Sequence, residues 1–405
     1  MEPSPHSITD RPALEGLRFR ALLTLLVAFG PLSTDLYLPS LPSIAVYFAA
    51  GAAEAQLTLS VFLLGFAGGM LVWGPLSDRF GRRPTMLAGL AFFFVATLAC
   101  ALAAGMTQLI VARFFQAVGA CVGPVVARAV VRDVFQRDEA ARVLSYMAMA
   151  MGIAPMVGPV IGGVFEAAFG WRSNFILIAA VGAVAMAAAF RFLPETNRHM
   201  NAEATKPSRM IAQFRQLLGH RLYLGYALTV ALAYSGIFAF ISGSSFVLIR
   251  LFGVSPPAFG WMFGACVGGY MSGAFVSGRF TRRFGLHRMI LLGGAVASLA
   301  GLAMTGFALS ESTAPVGIIG PMFGFLLGVG MMMANSQAGA VAPFPRMAGA
   351  ASALLGFLQM TVAAGVGVAV GHALDNSALP MAAAIALSGL GAWTVFRLMV
   401  FGRPG

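Results

Sequence analysis

Apolar stretches of about 20 residues, almost free of charge, alternate along the chain with short polar clusters, and at helical rise that length crosses a hydrocarbon core of about 30 Å. The pattern predicts twelve membrane-spanning helices. The first six fall near Ala21 to Pro42, Ala55 to Ser77, Pro84 to Ala104, Gln108 to Val130, Val143 to Phe165 and Asn174 to Leu193. The second six fall near Leu222 to Val247, Pro257 to Ser277, Met289 to Leu309, Val316 to Ser336, Gly349 to Gly371 and Leu379 to Val400. Between the sets lies the longest polar stretch, Pro194 to Arg221, with Glu195, Arg198, Lys206, Arg209 and Arg215. It reads as a linker (194–221) between a first bundle (1–193) and a second (222–405). The expected fold is an all-α membrane protein whose transmembrane helices form two pseudo-symmetric six-helix bundles. A repeat supports the division: Ser77-Asp-Arg-Phe-Gly-Arg-Arg83 after the second span returns as Ser277-Gly-Arg-Phe-Thr-Arg-Arg283 after the eighth. A six-helix duplication places it there and puts a substrate site between the halves, near mid-membrane.

Composition sharpens the picture. Hydrophobic residues make up 59% of the chain and charged ones 10%, against about a quarter charged in a soluble domain. The net charge is +12, yet the basic residues sit at helix ends rather than on one face of a soluble fold, so no nucleic-acid partner is expected. On this map Arg172 and Arg250 fall on one side of the membrane and Arg113 lies within a span, while the remaining Lys and Arg share the side of both termini and the linker. By the positive-inside rule that side is the cytoplasm. Cys100, Cys121 and Cys266 lie in apolar segments without metal-type spacing and read as buried hydrophobes, so no metal site is expected. The first 20 residues are polar and the apolar run after them is longer than a signal-peptide core, so it is expected to remain as the first helix. The spans hold no HExxH, no GxSxG and no carboxylate cluster with metal spacing, which argues against an enzyme.

The chemistry concentrates in four segments. In Gly74-Pro-Leu-Ser-Asp78-Arg79-Phe-Gly81-Arg82-Arg83 the glycines permit a tight turn, and Asp78 can accept charge-assisted hydrogen bonds from a helix end or an Arg. A topogenic basic loop would account for the arginines but not for Asp78 or Gly81. In the fourth span Leu109, Arg113, Gln116 and Gly119 set an Arg within an apolar helix, which costs about 2.5 to 3.5 kcal/mol on insertion scales and demands a partner or a water-filled cavity. In the fifth, Pro155 and Gly158-Pro159-Val-Ile-Gly162-Gly163 remove backbone donors and let a neighbouring helix approach closely. In the first, Thr34-Asp35-Leu36-Tyr37-Leu38-Pro39-Ser40-Leu41-Pro42 holds the only acidic residue placed inside the spans of the first half.

These segments resemble the signatures of the major facilitator superfamily: GxxxDRxGRR between the second and third helices; LxxxRxxQGxG in the fourth, with Ala117 for the preferred Gly; and the GPxxGG core of the antiporter signature, with Ala154 where the fuller motif has Gly. The DxYLPxLP run of the first span and Arg132-Asp133-Val134-Phe135 after the fourth are similar to the Bcr/CflA group of bicyclomycin, chloramphenicol and florfenicol exporters. The resemblance covers nearly the whole chain and is densest in the first half. It implies a drug/proton antiporter that works as a monomer, without cofactor, on the proton gradient of a bacterial inner membrane. It further implies that Gly74, Asp78, Arg79, Gly81, Arg82 and Arg83 latch the halves in the outward-open state. Pro155, Gly158, Pro159, Gly162 and Gly163 would mark export, and Asp35 would couple protons and recognise substrate under the influence of Arg113. Gly278 replaces the acid of the repeated loop, so a second latch is expected to be weaker.

In low dielectric the neutral carboxyl is favoured and beside an Arg the ionised one, so Asp35 is poised to exchange a proton. The alternative is that it lies at the outer surface, just before Pro39, and pairs locally. Glu166 and Arg172 fit an external loop. Tyr37, Gln116, Met147, Tyr234, Phe238, Phe240 and Gln359 are expected to line an adaptable aromatic and Met-rich cavity. The leading reading is proton-coupled efflux of drugs or other small amphipathic molecules across the inner membrane by alternating access. The alternative is a proton symporter importing a small polar metabolite, which needs several charged or amide groups in its cavity.

Overall fold

The computed structural model describes residues 16–198, 200–310, 314–373 and 377–402. Among them every regular element is a helix, and twelve are long and apolar enough to cross a membrane. In the first half these spans are Leu17–Tyr47, Ala52–Phe80, Arg82–Ala101, Met106–Val134, Arg142–Phe169 and Arg172–Phe192. In the second they are Arg221–Leu251, Pro256–Phe284, Leu286–Leu309, Val316–Val341, Ala348–Ala373 and Leu379–Met399. An even number returns the chain to the side where it began. The two ends of the described chain and the linker therefore share one face, the terminal face; residues 1–15 and 403–405 lie outside the described residues.

The spans expected from hydropathy centre on these helices, but several helices run past them. The second continues beyond Ser77 to Phe80, the eighth beyond Ser277 to Phe284, and the fifth begins at Arg137. Charged residues end an apolar run without ending a helix, because long basic side chains keep good helix propensity and reach water from the membrane surface. The linker holds a short 3-10 turn, Ala202–Thr205, and a helix, Pro207–Leu218, whose Leu217 is buried.

The pairings of the first half recur in the second. The second span packs on the fourth as the eighth does on the tenth; the third packs on the sixth as the ninth does on the twelfth; and the first packs on the fifth as the seventh does on the eleventh. Two six-helix bundles result, meeting where the second span crosses the eleventh and the fifth crosses the eighth. Lipid offers no hydrophobic drive between helices, so close packing at small residues supplies the attraction. Gly69 and Gly269 hold corresponding places before the repeated loop. A Cβ on Gly69 would lie 2.8 Å from that of Cys121 in the fourth span, and one on Gly269 would lie 2.3 Å from the carbonyl oxygen of Phe323 in the tenth.

Gly269→Val should accordingly destabilise the second bundle by about 1–3 kcal/mol, since backbone cannot yield as a side chain does. Gly268→Ala, whose Cβ would meet only the ring of Phe323 at 3.8 Å, should leave the midpoint of thermal unfolding in detergent where it is. Equal midpoints for the two variants would contradict this packing.

Candidate functional site

The first span is a broken helix. It runs Leu17–Asp35, passes through a 3-10 turn at Leu38–Ser40 and resumes at Leu41–Tyr47. Pro39 has no N–H to offer the carbonyl of Asp35, and its ring crowds that carbonyl, so the helix stops there. Asp35 is thus a helix-terminal residue at membrane depth. Its carboxyl accepts a hydrogen bond from Thr34 Oγ1 at 3.2 Å and borders a cavity of about 610 Å³ between the bundles, a size that suits a drug-like molecule.

Of the residues expected to line that cavity, Met147, Tyr234, Phe240 and Gln359 do so. Phe62, Phe66, Phe263 and Met151 extend the apolar wall. Among the described residues Asp35 is the only acid on the lining and Arg128 the only base. The cavity shares Met70, Val125, Arg128, Leu144 and Ser352 with a second one of about 510 Å³, which reaches the linker at Asn201, Met210 and Phe214. The path from Asp35 therefore continues toward the terminal face.

Tyr37, Gln116 and Phe238 lie outside the lining. Tyr37 and Gln116 serve Arg113 instead. The Arg113 guanidinium is fully buried, with its carbon 4.2 Å from the Tyr37 ring centre and 4.3 Å from that of Phe62. Its Nη1 donates to the carbonyl of Ser33 at 2.9 Å and to Oε1 of Gln116 at 2.5 Å. Gln116 in turn donates to Thr97 at 2.9 Å, and the Tyr37 and Thr58 hydroxyls share a hydrogen bond of 2.7 Å. Among the described residues no ion pair joins Arg113 to Asp35. The Arg113 guanidinium instead holds the Ser33 carbonyl, two residues before Asp35. Phe238 is pressed against the eleventh span, where a Cβ on Gly367 would come within 2.5 Å of its ring.

Beyond Asp35 the far face is shut by the fifth span. A Cβ on Gly158 would lie 3.2 Å from that of Asp35, and one on Gly162 only 1.7 Å from the carbonyl oxygen of Leu36. Gly163 meets the eighth span in the same way, 2.4 Å from the carbonyl of Pro256. Pro155 faces the cavity, and the Pro159 carbonyl lies against Gly260. Glu166, next along, accepts hydrogen bonds from Ser40 and Ser43 of the first span. Arg172 donates to the carbonyls of Ala101 and Ala103, each at 3.1 Å, closing the end of the third span. A further contact between the halves is the hydrogen bond from Ser242 to Oε1 of Gln56 at 3.2 Å.

On the terminal face the Gly74 to Arg83 segment forms a charged cluster. Arg82 pairs with Asp78 at 2.5 Å and Asp133 at 2.8 Å and donates to Ser77 Oγ at 2.8 Å. Glu195 of the linker accepts the backbone N–H groups of Arg82 and Arg83 at 2.9 and 3.1 Å, capping the third span. The turn demands Gly81, whose φ is +100° and whose hypothetical Cβ would strike Glu195. Arg79 donates to Thr205 at 2.8 Å, and the nearest atom to a Cβ on Gly74 is 4.0 Å away on Val125. These partners all belong to the first bundle or the linker; Gly349 and Ala353 of the eleventh span face the cluster across the second cavity. In the second half the matching contact is between uncharged groups: Asn335 Nδ2 donates to Ser277 Oγ at 2.8 Å and Thr281 Oγ1 at 3.3 Å.

Arg128 was not among the expected site residues. Its signal in the sequence was a second Arg inside the apolar run of the fourth span, obscured by the basic residues that follow it.

The sequence profile of the Major Facilitator Superfamily matches residues 23–368. A bicyclomycin resistance protein homolog of Haemophilus influenzae is 30% identical over 366 residues, covering 90% of this chain and 91% of that protein. Multidrug resistance protein D of Escherichia coli is 30% identical over 341 residues, 84% of each chain. A solved D-xylose-proton symporter superposes with a TM-score of 0.75 over 93% of this chain and 97% of its own, at 14% identity. That likeness is one of fold.

Arg82→Ala leaves Asp78 and Asp133 facing each other without their shared donor and should cost about 1–3 kcal/mol. Arg82→Lys should recover only part, because an ammonium cannot reproduce the planar fork. Thermal unfolding in detergent reads both; an Ala variant as stable as wild type would contradict a structural role for the cluster.

Proposed function

The chain belongs to the Major Facilitator Superfamily, and from that membership we propose that it exports drugs or other small amphipathic molecules in exchange for protons. One observation carries the reading: among the described residues Asp35 is the single acid on a large, mainly apolar cavity between the bundles, at the break of the first span. Relatives named for bicyclomycin and multidrug resistance support cargo of this kind. The spacing of the basic residues supports a terminal face in the cytoplasm of a bacterial cell, with the protein spanning the inner membrane. The cavity then receives cargo from the cytoplasm. Residues 1–193 and 222–405 are the two bodies that rock about the site, joined by 194–221, and a single chain suffices.

The coupling follows from solvation. A carboxylate among apolar walls is poorly stabilised unless a proton or a polar or cationic group of the cargo meets it. Capture from the cytoplasm therefore goes with loss of the proton. Opening of the far face lets a proton from outside take the place of the departing cargo, and the neutral carboxyl permits closure around an empty site. The proton gradient supplies the drive without a cofactor. Arg113 is a positioning residue here, holding the Ser33 carbonyl and so the backbone that carries Asp35. An importer of polar metabolites needs more charged or amide groups than Asp35, Arg128, Gln337 and Gln359 bring to the lining.

In everted membrane vesicles made acid inside, the wild type should accumulate chloramphenicol. Asp35→Asn should reduce that accumulation to the level of vesicles without the protein, and Asp35→Glu should keep part of it. Wild-type accumulation by Asp35→Asn would exclude proton coupling at this residue. Accumulation in right-side-out vesicles under an inward proton gradient would mean import.

A further inference from the structure

We infer that Arg128 binds an anionic group of the cargo, so that an amphipathic organic anion or zwitterion lies in the cavity with its carboxylate or similar group toward the terminal face. The inference rests on the export reading and specifies the chemistry of what is exported. Arg128 lies in the fourth span, beyond the break that separates the helix Met106–Ala120 from Val122–Val134. It borders both cavities and is exposed to them, although it belongs to a membrane-spanning helix.

Three other arginines near the site have partners. Arg82 has two carboxylates, Arg113 has a carbonyl, an amide and ring faces, and Arg172 has two carbonyls. Arg128 has, among the described residues, only the thioether of Met151, at 3.9 Å from Nη2, a weak acceptor. Among the described residues no carboxylate comes within ion-pair distance of it. A guanidinium presents a planar fork of donors that matches a carboxylate bidentately. A residue placed only to set topology has no need to face the cavity, and Arg132, a turn further toward the surface, already lies at the charged end of the helix.

The spacing defines the occupant. Gly158 of the fifth span packs on Asp35 and Met151 of the same helix touches Arg128, and these positions stand two turns apart, about 10 Å at helical rise. Between them the wall is apolar, with Phe62, Met147 and Phe240. The cavity therefore suits an apolar body about 10 Å long with an anion at one end. The charge of Asp35 disfavours the reverse orientation.

The test is equilibrium binding of three ligands of one shape, naphthylacetate, naphthylethanol and naphthylethylamine, to the purified full chain in detergent by calorimetry. Naphthylacetate should bind about tenfold more tightly than naphthylethanol, and Arg128→Gln should bring that ratio to about one. Arg128→Lys, which keeps the charge but not the fork, should fall between. It also decides the matter if the Gln variant does not fold, because an undiminished ratio there contradicts bidentate recognition. A wild-type ratio of one, or a Gln variant that keeps the preference, overturns the inference. If added phosphatidylglycerol displaces naphthylacetate where phosphatidylcholine does not, the anion is a lipid headgroup and the assignment to cargo fails. No proton gradient enters the measurement, so its outcome is independent of proton coupling; absence of binding by all three ligands would remove the cavity as a cargo site and the export reading with it.

Discussion

A missing backbone donor, four residues beyond Asp35, sets the geometry on which the site depends. Because Pro39 cannot bond the carbonyl of Asp35, the first span ends its helix at that residue and exposes bare backbone in the middle of the protein. The fifth span lies directly on that backbone: Gly162 leaves no room for a Cβ against the Leu36 carbonyl, and Gly163 presses on Pro256 of the eighth span. A line of backbone contacts thus runs from the carboxyl to the second bundle with no flexible side chain to absorb movement. Broken helices at membrane depth are tolerated where they line a cavity, and here the cavity begins where the helix ends.

The positive charges show how costly groups are accommodated at different depths. Arg113, deepest, is met by dipoles and ring faces rather than by an ion pair, which leaves Asp35 free of a fixed counter-charge. Arg82, at the terminal face, joins two carboxylates beside the linker that connects the halves. Arg128, between them, opens onto the cavity. Among the described residues the second half shows no ion pair at the matching place and uses Asn335 with Ser277 and Thr281 instead. The repeated loop therefore preserves position while changing chemistry, as the exchange of Asp78 for Gly278 indicates.

The spans and their number were legible because a hydrocarbon core imposes a length that no side-chain detail can disguise. Helix ends were less so, since Arg79 and Arg283 stop hydropathy but not helix. Asp35 and Gly158 to Gly163 stand out from their apolar surroundings by residue type and spacing; that the glycines pack on Asp35 and Leu36 could not be read there, because it depends on which face of the fifth span meets the first. Tyr37 and Gln116 show the same limit. Both are suited to a ligand, yet a buried guanidinium has the stronger claim on an aromatic face and an amide. Arg128 escaped notice because a basic residue near a helix end looks like a topology signal until the cavity beside it is seen.

The most direct measurement is drug-induced proton release from the purified full chain in weakly buffered detergent, following pH as chloramphenicol is added to wild type and to Asp35→Asn. The expected result is release by wild type and none by the folded Asn variant. Chloramphenicol binding to wild type without release of protons would contradict proton coupling at Asp35.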